Sequence, residues 1–167
     1  MADDTTARLA LPLLRAGQAQ KEMTHNEALA RLDLAVQARV ETMGLDVPPA
    51  DPAAGACWIV GPAPTGAWAG NADALAGWTA DGWRFLAAAE GMSVWVADQA
   101  VRARYSGGAW RVGELAGKQL SIDGVKVIGV RAAAIADPAG GTTIDAEARA
   151  TIGAILAALR GHGLIAP

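Results

Sequence analysis

Apolar residues recur at steps of three and four through Leu29, Leu32, Val36, Val40 and Met43, the signature of one buried face on an amphipathic helix. Thr24 and Glu27 stand ahead of that stripe at capping-box spacing, and Gly44 offers the left-handed residue that ends a helix, so the pattern predicts a helix over 25–43. Upstream, Leu9, Leu11, Leu13 and Leu14 are equally apolar, but Pro12 and Gly17 break any helix there and predict an extended arm. Downstream, Val47-Pro48-Pro49-Ala50-Asp51-Pro52 reads as a stiff, extended linker, because each proline restricts both itself and its predecessor. From Gly55 to Gly113 the pattern changes to short strand-like runs at 56–60, 77–80, 83–86, 93–97, 102–105 and 109–112. Asp81-Gly82 and Gly107-Gly108 fall between paired runs, where hairpin turns need positive φ. A further hairpin is predicted over 119–128 around Asp123-Gly124. After a loop at 129–143, a second helix is predicted over 146–160, capped by Asp145 or Thr143 and stopped by Gly161 and Gly163. Its apolar face is Ile152, Ile155, Leu156 and Leu159.

This order of elements predicts a mainly β protein, a compact antiparallel sandwich or barrel flanked by an N-terminal arm plus helix and by a C-terminal helix. The expected segments are arm and helix at 1–46, linker at 47–54, β domain at 55–128, and loop with helix at 129–167. The linker would leave the first helix without an internal partner, so its seam and that of the second helix are expected to pair with other copies of the chain.

Composition narrows the function. Of the 167 residues 52% are hydrophobic, yet no apolar run approaches the ~20 residues of a membrane span. The acidic start Met1-Ala2-Asp3-Asp4 does not resemble a signal peptide, so synthesis in the cytoplasm and release by lysis are expected. The net charge of −3 argues against binding DNA through its phosphates. Cys57 is the only cysteine, which excludes an internal disulfide and a C-x-x-C site, and His25 and His162 are too few for a histidine-rich metal site. No metal and no cofactor are expected.

The loop at 61–70 is glycine-rich but lacks the lysine of a phosphate-binding loop. Asp73, Asp81, Glu90 and Asp98 form the pool for a glycosidase pair, but turns already use such acids, and no catalytic residue is assigned. Six tryptophans against one tyrosine and one phenylalanine are the conspicuous feature. Trp58, Trp83, Trp95 and Trp110 lie in strands and are expected in the core. Trp68 and Trp78 lie in or beside the long loop and are the candidates for stacking on a sugar ring.

Leu11-Pro12-Leu13-Leu14, Gly17-Gln18-Ala19-Gln20-Lys21-Glu22 and Thr24-His25-Asn26-Glu27-Ala28-Leu29 together resemble the opening of an uncharacterised family, a domain of unknown function, found in bacterial prophages and gene transfer agents. Trp58-Ile59-Val60, Gly82-Trp83-Arg84-Phe85, Val94-Trp95-Val96 and Gly108-Ala109-Trp110 are similar to its later blocks. The resemblance implies a non-enzymatic virion component, a subunit or base of a head spike or tail fibre. It implies a homotrimer bound to a capsid, portal or fibre protein of the same particle. Leu9, Leu11, Leu13, Leu14, Leu29, Leu32, Val36, Met43, Ile152, Ile155, Leu156 and Leu159 are then the expected interface. The alternative is a module that binds host-surface glycan directly through Trp68 and Trp78.

Overall fold

Helix α1 (Lys21–Ala35) opens the regular structure, followed by β1 (Arg39–Val40), β2 (Met43–Leu45), β3 (Cys57–Val60), β4 (Leu75–Thr79) and β5 (Gly82–Leu86). Strands β6 (Ser93–Val96), β7 (Val101–Ser106), β8 (Ala109–Val112), β9 (Leu120–Ile122) and β10 (Val125–Ile128) come next, then helix α2 (Ala146–Gly161). These elements come from a computed structural model that describes residues 5–15, 17, 21–142 and 145–167. The acidic start at 1–4, the Gln18-Ala19-Gln20 block and Thr143, the alternative helix cap, lie outside the described residues. The fold is mainly β, as the patterning predicts, and the chain divides into a unit ending at Glu114 and one beginning at Leu115.

In the first unit two four-stranded sheets, in the orders β1-β6-β7-β8 and β2-β3-β4-β5, share one core. Val40, Val94, Val96 and Ala103 enter it from one sheet, Cys57, Ile59 and Leu75 from the other, and Leu34 from α1. All four residues of β3 are buried, because its sheet is covered twice. Cys57 and Ile59 face this core, while Trp58 and Val60 join Trp68 and Ala76 in a second cluster. The β7–β8 turn forms where predicted, Gly107 and Gly108 both with positive φ, a backbone that suits the right-handed twist of the strands, whereas the β4–β5 turn is Ala80-Asp81, with Gly82 already in β5 opposite Thr79.

The helix prediction needs correction at both ends. The helix begins at Lys21, so Thr24 is inside it rather than at a cap, and it ends at Ala35. Gln37, at φ 46°, reverses the chain, and β1 pairs parallel with β6, Arg39 opposite Trp95 and Val40 opposite Val96. Burying Val40 between the sheets contributes about 1.5–3 kcal/mol, which outweighs continuing an exposed helix. Met43 and Gly44 therefore sit in β2, not at a helix end, and Gly44 uses its φ of 85° in a register shift against β3. The helix also has an internal partner: it packs on β4 and β5, with Leu34 seated over Gly77. In the sheet, Trp95 is corrected from core to surface, since its neighbours Val94 and Val96 take the inward positions of β6.

The arm is buckled onto α1 rather than extended. Asp33, the one buried charged residue among those described, accepts from Thr6 Oγ1 (2.7 Å), the Arg8 amide (3.0 Å) and the Leu9 amide (2.7 Å). The Arg8 guanidinium in turn donates to the carbonyls of Asp33 and Gln37 at the end of the helix. Asn26 fixes the far end of the arm through both polar groups of the Leu14 backbone. Leu9 and Leu14 remain exposed.

The second unit holds the predicted β9–β10 hairpin, turning on Asp123 (φ 50°) and Gly124 (φ 77°). Asp145 caps α2 by accepting from the Ala148 amide at 2.8 Å. Gly161 lies within the helix rather than stopping it, and the positive φ falls at Gly163. The chain then returns to Ala132, whose amide donates to the Leu164 carbonyl and whose carbonyl accepts from Ala166, each at 2.9 Å. Leu156 and Ile165 are its buried apolar residues among those described.

Candidate functional site

A groove of about 740 Å³ runs between the buckled arm, α1 and the β4–β5 edge, with Leu13, Glu22, Asn26, Glu27, Trp78 and Arg84 among its walls. Glu27 ties helix to sheet: its carboxylate accepts from Arg84 Nε at 2.6 Å and from Arg31 Nε at 2.9 Å. The Arg84 hydrogen bond holds the Glu27 carboxyl below its ordinary value of 4.5, against the opposing effect of burial. Stability from this group is therefore present above pH 4.5 and is lost as pH falls through the lowered native value. Glu27→Gln is expected to cost about 0.5–1 kcal/mol at pH 7, and less at a pH well below 4.5, where the wild-type carboxylate gains its proton as well. Urea midpoints at the two pH values check it, and a gap independent of pH would exclude the ion pair as its source.

Trp68 and Trp78 differ in what they offer a ligand. Trp68, on a single 3-10 turn at Gly66–Trp68, is completely buried. Its ring lies 6.2 Å from that of Trp58 and 5.2 Å, nearly perpendicular, from that of Trp83. It presents no face to a sugar, because the Gly/Pro loop that carries it folds down as the lid of the second cluster. Trp78 is half-buried, packs its edge against Trp83 at 5.0 Å, and has surface in the groove. Of the strand tryptophans, Trp58 is buried, while Trp83 and Trp110 are partly buried. Trp110 donates its Nε1 proton to the Asp73 carbonyl at 2.9 Å.

The expected interface residues differ in exposure. Leu9, Leu14, Leu32, Val36, Ile152 and Ile155 are exposed, Leu11, Leu13, Leu29 and Leu159 are partly buried, and Leu156 is buried. Met43 packs against the main core from β2, and Val36 lies past the end of α1, so the heptad-like run is cut by the chain reversal at Gln37. Cys57 behaves as the small hydrophobe expected, its thiol pushed up to about 11 by burial. Glu90 is held below its ordinary value by the Ser106 hydroxyl and the Gly107 amide, consistent with the turn role given to such acids.

Sequence reasoning missed Leu34, which is fully buried and lies outside the stripe drawn through Leu29 and Leu32, and Asp33, whose burial depends on an arm 25 residues away. It also passed over the hairpin at β9–β10 as a surface. A family described as proteins of unknown function, DUF2793, matches residues 25–111, just over half of the chain. The match begins beyond the Leu11–Glu22 block. No curated protein matches the chain.

Proposed function

Because this chain belongs to DUF2793, a family of proteins of unknown function, we propose a role from its own surfaces: a structural subunit or base of a head spike or tail fibre on a phage-like or gene-transfer-agent particle. It is made in the bacterial cytoplasm, released by lysis, and works as an oligomer, a trimer by the symmetry of fibres, joined to a capsid, portal or fibre protein.

The observation that carries this reading is the apolar face of the β9–β10 hairpin. Register sets Ile122 opposite Val125 and Leu120 opposite Ile128, and paired residues share a face. All four are exposed, at 57%, 65%, 52% and 49%, while Ser121 and Lys126 take the other face. A lone two-stranded hairpin is marginal in water, and a unit with two buried apolar side chains among its described residues gains little from its own core. Such a unit folds against a partner, and the partner present at synthesis is another copy. Its charges are nearly balanced, five basic residues against four acidic, so copies do not repel.

Light scattering is expected to give an oligomer for the full chain and the 17.0 kDa monomer for Ile122→Asp with Val125→Asp. The protein is also expected to copurify with particles of its host strain. Leu9→Ser with Leu14→Ser, which spares the backbone amides bound by Asp33, is expected to melt as wild type and to be lost from those particles. Absence of the wild-type protein from purified particles overturns the reading.

Trp78 in the groove beside the Arg84–Glu27 pair favours a second reading, a glycan-binding module that contacts the host envelope directly. Trp78→Ala is then expected to weaken binding in a glycan array.

A further inference from the structure

The outer face of the β1-β6-β7-β8 sheet brings together a basic and aromatic surface in a chain of net charge −3. Val40, Val94, Val96 and Ala103 point into the core, so the alternate residues Arg39, Trp95, Arg102 and Arg104 point away from it. The register sets Arg39, Trp95 and Arg102 abreast on three adjacent strands, and Ser93, Arg104 and Arg111 abreast in the next row. Trp95 is 41% exposed, and Arg39, Arg102 and Arg111 are exposed as well. Arg39 contacts Glu41, and Glu90 lies close enough to Arg104 to feel its charge while bound to the Ser106 hydroxyl and the Gly107 amide. Arg102 and Arg111 pair with no carboxylate among the described residues.

We propose that this face binds an acidic polysaccharide, with one uronate ring stacked on Trp95 and its carboxylates held by the flanking arginines. Strands stand about 4.8 Å apart and alternate residues of one strand about 6.7 Å apart, so arginines flank Trp95 on both sides at distances on the order of one pyranose ring. Guanidinium groups hold carboxylates in two-pronged hydrogen bonds, and a ring that carries one charge matches arginines spaced in this way. Single-stranded nucleic acid is the poorer fit. It is held by successive aromatic platforms, whereas this face has one, and its closely spaced phosphates meet a protein that is acidic overall. The face lies on the sheet that does not contain Trp78, so it is independent of the groove and of the particle reading.

Calorimetric titration of the full chain with short oligogalacturonates, neutral cello-oligosaccharides and oligothymidylate tests the proposal. Oligogalacturonate is expected to bind, with affinity falling as salt rises, while the neutral sugar does not. Trp95→Ala and Arg102→Gln are each expected to weaken binding about tenfold, with Arg102→Lys intermediate. Both positions are exposed, and thermal melts of the variants should match wild type. Four results overturn the assignment: no binding of oligogalacturonate, equal binding of the neutral sugar, tighter binding of oligothymidylate, or loss in Trp78→Ala with Trp95→Ala unaffected.

Discussion

Replacing Trp68 by alanine is expected to bring the first unit close to unfolding. The side chain is fully buried among Trp58, Val60, Ala76 and Trp83, and removing a buried tryptophan costs about 3–5 kcal/mol. That is a large part of the ~5–15 kcal/mol by which a domain is stable. The melting temperature is expected to fall by more than ~10 °C, with loss of the near-ultraviolet signal of the tryptophan cluster. Trp68→Phe is expected to be far milder. It keeps an aromatic ring in the cluster and removes an indole Nε1 that is buried with no hydrogen-bond partner among the described residues, a group that costs about 1–3 kcal/mol when left unpaired. An alanine variant that melts within a few degrees of wild type would show that the loop does not seal the sheet. Sugar binding lost in Trp68→Ala would report unfolding rather than a missing contact.

The second large effect is expected where α1 meets β4. Leu34 sits so closely over Gly77 that a Cβ there would stand 2.2 Å from Leu34 Cδ2 and 2.7 Å from Cδ1. Gly77→Ala must push the helix away or force Leu34 out of its rotamer, at about 1–3 kcal/mol. Leu34→Ala leaves a cavity in the main core and costs about 2–5 kcal/mol. In the double variant the added methyl partly fills that cavity, so Gly77→Ala is expected to cost nothing further once Leu34 is alanine. Urea midpoints of the four proteins measure this as a coupling of about 0.5–3 kcal/mol. Additive losses would mean that Leu34 and Gly77 do not share one packing site.

The parts of this fold that were legible in the sequence are those with a local cause. Gly107-Gly108 and Asp123-Gly124 supply backbone conformations that few other residues reach, so both hairpins stood where predicted. Asp145 capped α2 for the same kind of reason. The misplaced parts depend on residues far away along the chain. The stripe from Leu29 to Met43 is helical in period, but Val40 is claimed by β6, and no local signal marks Gln37 as the reversal. Trp95 looked like core because tryptophan is large and strands need buried area. Only the positions of Val94 and Val96, fixed by the opposite sheet, turn it outward. Asp33 looked like any surface acid on a helix until Thr6, Arg8 and Leu9 enclosed it. The same holds for the candidate surfaces. Trp68 and Trp78 are both near loops, yet one loop folds down as a lid and the other residue borders a groove, a difference set by what packs beneath each.

The parallel pairing of β1 with β6 carries a consequence for how the protein is made. Arg39 leaves the ribosome more than fifty residues before its partner Trp95, and β2 likewise waits for β3. Until β6 and β7 have been synthesised, Cys57, Ile59 and Leu75 have only the two residues of β1 from the opposing sheet, so the nascent chain carries that apolar face largely uncovered until those strands emerge. Closure across such sequence distances places folding in the slow, milliseconds-to-seconds range of β-rich proteins, and the interval before closure is when chaperones or fellow nascent chains can capture the unit.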